Sequence, residues 1–215
     1  MFRTVLFDLD GTLMDSHRMV IRCYAHLFEK YGDPKDFTEE IQNEVFGPPL
    51  HVEMEKLFPD MDPDFMVQEY RTYQKSKTWD DVMKLFPHAI EVLSFLQKEN
   101  CVMGIVSSRL STSCNDWLEK LGIASYFSIV LGRDQFAKAK PEPDGILDAC
   151  RLLQADPDHC MYVGDNASDV IAAQRAGVYS VGFISEESTK EDILQSGPDV
   201  CIYDLIELID IVKGK

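Results

Sequence analysis

The chain has 215 residues, 45% hydrophobic and 27% charged, which is enough apolar material for one buried core with at most a small insert. Lys and Arg total 21 against 37 Asp and Glu, a formal net charge of −16 that repels polyphosphate backbones and anionic bilayers and argues against nucleic-acid and membrane partners. No stretch approaches the roughly 20 apolar residues of a membrane helix. The amino terminus lacks the zones of a secretory signal, and Cys23, Cys101, Cys114, Cys150, Cys160 and Cys201 follow no CxxC or Cys/His spacing. A soluble, cytoplasmic protein with reduced thiols packed as small hydrophobes is expected.

Thr4-Val5-Leu6-Phe7 is a short apolar run of strand formers stopped by Asp8-Leu9-Asp10-Gly11, and it predicts a buried strand ending in a turn. The stretch from Ser16 to Val82 differs in character. It is poor in β-branched runs, shows helical spacing at Val20, Cys23, Leu27 and Tyr31, and is broken at Gly32-Asp33-Pro34, Gly47-Pro48-Pro49 and Pro59, which predicts an insert of about four helices. A helix follows, with Ala89, Val92, Leu93 and Leu96 on one face. Further apolar runs stand at Val102–Val106, Ile129–Leu131, Met161–Val163, Ser180–Phe183 and Val200–Tyr203, and Trp117, Leu118 and Leu121 mark a helix that stops at Gly122.

Strands alternating with helices predict an α/β protein: a doubly wound parallel sheet of Rossmann type, with a small helical domain inserted after the first strand. The expected boundaries are 1–15 with 83–215 for the core and 16–82 for the insert. Right-handed crossovers bring the segments after the strands to one edge of the sheet, where such folds bind ligands. Those segments are Asp8-Leu9-Asp10-Gly11-Thr12, Ser107-Ser108-Arg109, Lys138-Ala139-Lys140-Pro141-Glu142-Pro143 and Gly164-Asp165-Asn166-Ala167-Ser168-Asp169. Each alone reads as a helix cap or a solvated charge. Together, four carboxylates at one edge repel one another unless a cation joins them, and a hard divalent ion with few protein ligands, Mg²⁺, resolves the conflict.

With VLFDLDGTLMDS, IVSS, KPEPD and VGDNASD in order, each after its strand, the chain resembles the haloacid dehalogenase superfamily of aspartyl phosphotransferases over essentially its whole length. The insert matches that family's cap domain. Gly47-Pro48-Pro49-Leu50 further resembles the cap of the phosphoglycolate phosphatase and pyrophosphatase branch. The resemblance implies a Mg²⁺-dependent phosphatase acting on a small phosphate ester. In it Asp8 is the nucleophile and Asp10 the general acid and base. Ser107 and Lys140 contact the phosphoryl oxygens, and Mg²⁺ is held by Asp8, the Asp10 carbonyl and Asp165, with Asp169 either direct or through water. Backbone N–H groups of Leu9 and Ser108 are additional candidate donors.

Arg109 reads either as a contact to a second anionic group of the substrate or as a solvated or salt-bridged arginine. Lys138 competes with Lys140, but only Lys140 directly precedes the Pro-Glu-Pro run. The histidines, His17, His26, His51, His88 and His159, show no metal-ligand spacing. A phosphoacceptor signalling domain also gathers acids, a hydroxyl and a lysine at such an edge, but it has about half this length and no insert. A phosphomutase of the same superfamily stays open, as does the substrate: phosphoglycolate, pyrophosphate, a nucleoside monophosphate or a sugar phosphate.

Overall fold

Thr4–Phe7 forms β1, buried along its whole length, in a computed structural model that describes residues 2–46, 50–185 and 190–214. After β1 the chain makes a turn and a short strand, β2 (Met14–Asp15), and then leaves for a separate unit, Ser16–Met83; Met1–Asp15 and Lys84–Lys215 make up the other unit. The boundary falls one residue later than expected. Met83 belongs with the helical unit, where its N–H bonds to the Trp79 carbonyl at 2.8 Å.

Among the described residues the helical unit contains α1 (His17–Tyr31), α2 (Glu39–Glu44), α3 (Leu50–Leu57) and α4 (Pro63–Lys75). Thr38 and Asp62 cap α2 and α4 with their side chains, and Pro63 occupies the first turn of α4, where its missing N–H costs nothing. The spacing at Val20, Cys23, Leu27 and Tyr31 is that of α1, as expected. Met19, Cys23, Tyr24, Leu27 and Phe28 are buried, whereas Val20 and Tyr31 are only half-buried. Aromatic packing sets this orientation, with Phe28 against Phe37 and Phe58 at 5.0 and 4.9 Å and Tyr24 against Tyr70 at 5.3 Å. Gly47, Pro48 and Pro49, the start of the Gly-Pro-Pro-Leu string, lie outside the described residues.

The chain returns through β3 (Lys84–Leu85), paired antiparallel with β2. It then alternates α5 (Ala89–Lys98), β4 (Val102–Val106), α6 (Ser111–Lys120), β5 (Ile129–Leu131), α7 (Asp144–Leu153), β6 (Cys160–Gly164), α8 (Ala167–Ala176), β7 (Tyr179–Phe183), α9 (Lys190–Gln195), β8 (Val200–Ile202) and α10 (Leu208–Lys213). The long strands form one six-stranded parallel sheet in the order β5-β4-β1-β6-β7-β8. Ala89, Val92, Leu93 and Leu96 are the buried face of α5, as their spacing predicts. On one face of the sheet Leu6, Val106 and Tyr162 pack against Ile146 and Ala149 of α7 and Ala172 and Ala173 of α8.

Chain order reverses at β1: β4 and β5 extend the sheet to one side, and β6, β7 and β8 to the other. The crevice at the carboxyl ends of β1, β4 and β6 is therefore the switch point at which open α/β sheets bind ligands. All six cysteines are free and all but Cys201 are buried. No helix among the described residues is long and apolar enough to cross a membrane.

Candidate active site

Asp8 directly follows β1 and continues its ladder, its N–H bonding to the Val163 carbonyl at 2.9 Å. The chain then reverses at Gly11, whose φ of +78° suits a residue without a Cβ. Space demands glycine as well, because a Cβ there would stand 2.0 Å from Asp165 Oδ2. The turn thus lies directly against the acid that follows β6. Thr12, fully buried, donates its hydroxyl to Asp165 Oδ1 at 2.8 Å and fixes that carboxylate.

Asn166 caps α8, accepting the Ser168 N–H at 2.9 Å, and its own N–H donates to Asp169 Oδ2 at 3.1 Å. This reciprocal cap holds Asp169 inward with only 2% of its surface exposed. A Cβ on Gly164 would fall 2.3 Å from the Asp169 Cβ, so glycine is also required at the end of β6. Single carboxylate oxygens of Asp8, Asp165 and Asp169 all lie within 4.8 Å of one another.

Lys140 reaches this cluster from the loop before α7. That loop is pinned by Arg175, whose Nη1 donates to the Pro141 carbonyl at 3.0 Å and to Glu142 Oε1 at 2.8 Å. Lys140 Nζ lies 2.9 Å from Asp8 Oδ1, 2.6 Å from Asp169 Oδ1 and 3.0 Å from the Tyr162 hydroxyl. Its side chain is 6% exposed, whereas Lys138 is exposed to solvent. The Tyr162 hydroxyl donates to the Val106 carbonyl at 2.8 Å, tying the end of β4 to the lysine.

Ser107, next to Val106, is buried and its Oγ accepts the Arg109 N–H at 3.2 Å; Ser108 is exposed. Asp10 is not in the carboxylate triad. Its two oxygens accept from Arg109, Nε to Oδ2 at 2.8 Å and Nη2 to Oδ1 at 2.5 Å. Arg109 and Asp10 thus form an ion pair at the edge of the site.

Electrostatics follow from this packing. Burial, opposed by Lys140 and reinforced by Asp169 and Asp10, pushes the Asp8 carboxyl up to about 7. Burial, then Asp169 and Asp8, holds Asp165 well above the usual carboxylate range. Burial works against the Lys140 ammonium, but Asp169 and Asp8 more than offset it and its pKa stands well above the ordinary lysine value. One ammonium thus faces three carboxylates, those of Asp8 and Asp169 buried and that of Asp165 half-buried, an excess of negative charge in oxygen donors of the kind that bind a hard divalent cation.

Tyr162 is the participant that sequence reasoning missed. The available signal was a phenol in an otherwise apolar strand, since a buried Tyr hydroxyl needs a partner. Among the histidines, His88 pairs with Asp204, His159 with Asp156, and His26 and His17 stack on Tyr73 and Phe46.

Residues 5–183 match the sequence profile of the haloacid dehalogenase-like hydrolases. The chain belongs to that family. Two relatives of this haloacid dehalogenase-like hydrolase are named pyrophosphatase PpaX. The one from Oceanobacillus iheyensis is 32% identical over 210 residues, 98% of this chain and 96% of that protein. The one from Listeria monocytogenes is 30% identical over 212 residues, 99% and 97% of the two chains. The fold is shared with a haloacid dehalogenase-like family hydrolase of Streptococcus pneumoniae, at a TM-score of 0.86, 24% identity and 98% coverage of both chains. The protein is accordingly an enzyme, a haloacid dehalogenase-like hydrolase.

Proposed function

We propose that this hydrolase is a Mg²⁺-dependent phosphatase that cleaves a small phosphate ester or pyrophosphate through an aspartyl phosphate on Asp8. The observation that carries the reading is the Lys140 ammonium, held 2.9 Å from Asp8 and 2.6 Å from Asp169 within a triad of carboxylates at the switch point of the sheet.

An Asp8 oxygen attacks phosphorus, the bond from phosphorus to the leaving oxygen breaks, and that oxygen takes a proton from Asp10. Water then attacks the phosphorus of the aspartyl phosphate and gives a proton to Asp10, and Asp8 departs as a carboxylate. Splitting one hard displacement into two is the gain from covalent catalysis. Uncatalysed phosphomonoester hydrolysis is slow enough to demand accelerations of about 10²¹, and one acid/base group supplies about 10² to 10⁴. The rest must come from charge placed in advance. Lys140 sits beside the nucleophile before substrate arrives, so it meets the transferring phosphoryl oxygens without reorganisation, and Ser107 donates its hydroxyl to a second oxygen. Ser108 and Leu9 add main-chain N–H groups.

The carboxylates of Asp8, Asp165 and Asp169, with the Asp10 carbonyl, would hold Mg²⁺, which when bound neutralises phosphoryl charge and reduces repulsion between nucleophile and substrate. Ser16–Met83, inserted between β2 and β3, is proposed as the cap that selects substrate. The −16 charge and the free thiols support a cytoplasmic enzyme of small anions rather than one of nucleic acid or membranes. Phosphate release from pyrophosphate, 2-phosphoglycolate and phenyl phosphate tests the reading. Multiple turnovers with Mg²⁺ and none in excess chelator are expected; sustained turnover in chelator would refute the metal, and no turnover of any compound would refute the phosphatase.

A further inference from the structure

Arg109 grips Asp10 through two parallel N–H bonds, and its third nitrogen, Nη1, donates to Ser113 Oγ at 3.1 Å. The arginine side chain is 10% exposed and that of Asp10 29%, so the pair is largely covered but open on the carboxylate side. The main chain of Arg109 is fixed separately. Its N–H bonds to Ser107 Oγ at 3.2 Å and its carbonyl accepts the Arg133 N–H at 2.8 Å. The guanidinium can therefore change partners without moving the turn between β4 and α6.

Under the phosphatase reading, on which this inference rests, Asp10 must face the leaving oxygen. Both Asp10 oxygens already accept from Arg109, so the leaving group and the guanidinium meet at the same two atoms. A neutral leaving group draws Asp10 away and offers the cation nothing in return. A leaving group with anionic oxygens beside the bridging oxygen presents a second fork-shaped acceptor, to which a guanidinium binds as well as to a carboxylate.

We infer that Arg109 is a specificity-determining residue that exchanges Asp10 for an anion on the leaving side of the substrate. The enzyme thereby selects phosphate compounds whose leaving group is itself an oxyanion. A diphosphate and a phosphorylated hydroxy acid share that chemistry; a phosphate ester of an uncharged alcohol or phenol lacks it. The two N–H bonds that Arg109 gives to Asp10 pass to the substrate anion, and the acid/base residue becomes available.

The experiment compares kcat/KM for pyrophosphate, 2-phosphoglycolate and phenyl phosphate, at saturating Mg²⁺, in the wild type, Arg109→Met and Arg109→Lys. Hydrogen bonds to charged groups are worth enough that Arg109→Met should lose about 50-fold on at least one anionic substrate, against less than about fivefold on phenyl phosphate. The substrate showing the larger loss identifies whether the anion is a phosphate or a carboxylate. Arg109→Lys keeps a point charge without the fork and should fall between. It carries the same comparison if the methionine variant fails to fold. An equal loss on all three substrates, or no loss on any, overturns the inference while leaving the phosphatase reading intact. A wild type that turns over none of them refutes that reading and this inference with it.

Discussion

Removing the charge of Asp8 should stabilise the metal-free protein. Burial raises its carboxyl from 3.8 to about 7 against the pull of Lys140, with Asp169 and Asp10 adding to the rise. The unfolded chain ionises near the lower value, so the folded state is increasingly penalised as pH climbs between the two, and the penalty is complete above about 7. At full size it is on the order of 4 kcal/mol. Lys140 would retain Asp169 and Tyr162 as partners in Asp8→Asn but lose one counter-charge, which cancels part of the gain. A net stabilisation of about 1–3 kcal/mol corresponds to a melting temperature higher by about 2–12 °C for a chain of this length. Differential scanning fluorimetry at pH 8 in excess chelator should show that difference, closing as the pH is lowered toward 4. Saturating Mg²⁺ should stabilise the wild type more than the variant, which has lost a ligand, and so narrow or reverse the gap. An Asp8→Asn protein that melts below the wild type at pH 8 in chelator would refute this electrostatic reasoning.

Tyr162→Phe removes the hydroxyl that receives Lys140 and that donates to the Val106 carbonyl. It should cost about 1–3 kcal/mol of stability and lower kcat about tenfold with KM little changed, which steady-state kinetics will separate from a general loss of fold. Gly11→Ala places a Cβ at a φ of +78° and 2.0 Å from Asp165 Oδ2. The displaced carboxylate should abolish the Mg²⁺-induced rise in melting temperature even where the variant still folds, and a normal Mg²⁺ response would show that Asp165 is not a ligand.

The parallel sheet was legible because its strands are buried on both faces and read as continuous apolar runs, and its switch point follows from the handedness of the crossovers. The loops after β1, β4 and β6 and before α7 could be named for the same reason: charged residues directly after such runs have only the sheet edge to occupy. Side-chain partnerships were less accessible. Asp8 and Asp10 differ by two positions and in sequence look alike, yet Lys140 takes one and Arg109 the other, a division decided by contacts 132 and 99 residues apart along the chain. Asp169 has two partners at once, its Oδ2 closing the cap of α8 while its Oδ1 meets Lys140, and its sequence position announces only the first. On α1 the helical spacing was legible, but burial is set by aromatic neighbours from later segments, Phe37, Phe58 and Tyr70, and periodicity within a single helix contains no record of them.

The division of labour between Asp8 and Asp10 is tested most directly by rapid-quench mass spectrometry with p-nitrophenyl phosphate and Mg²⁺. Its leaving group needs no proton, so Asp10→Asn should still be phosphorylated and then be slow to hydrolyse the product, accumulating a phosphoryl group that peptide mapping locates on Asp8. Asp8→Asn replaces the nucleophile with a neutral amide and should acquire no phosphoryl group at all. A phosphoryl group on any residue other than Asp8, or equal residual turnover by both variants, would contradict the account.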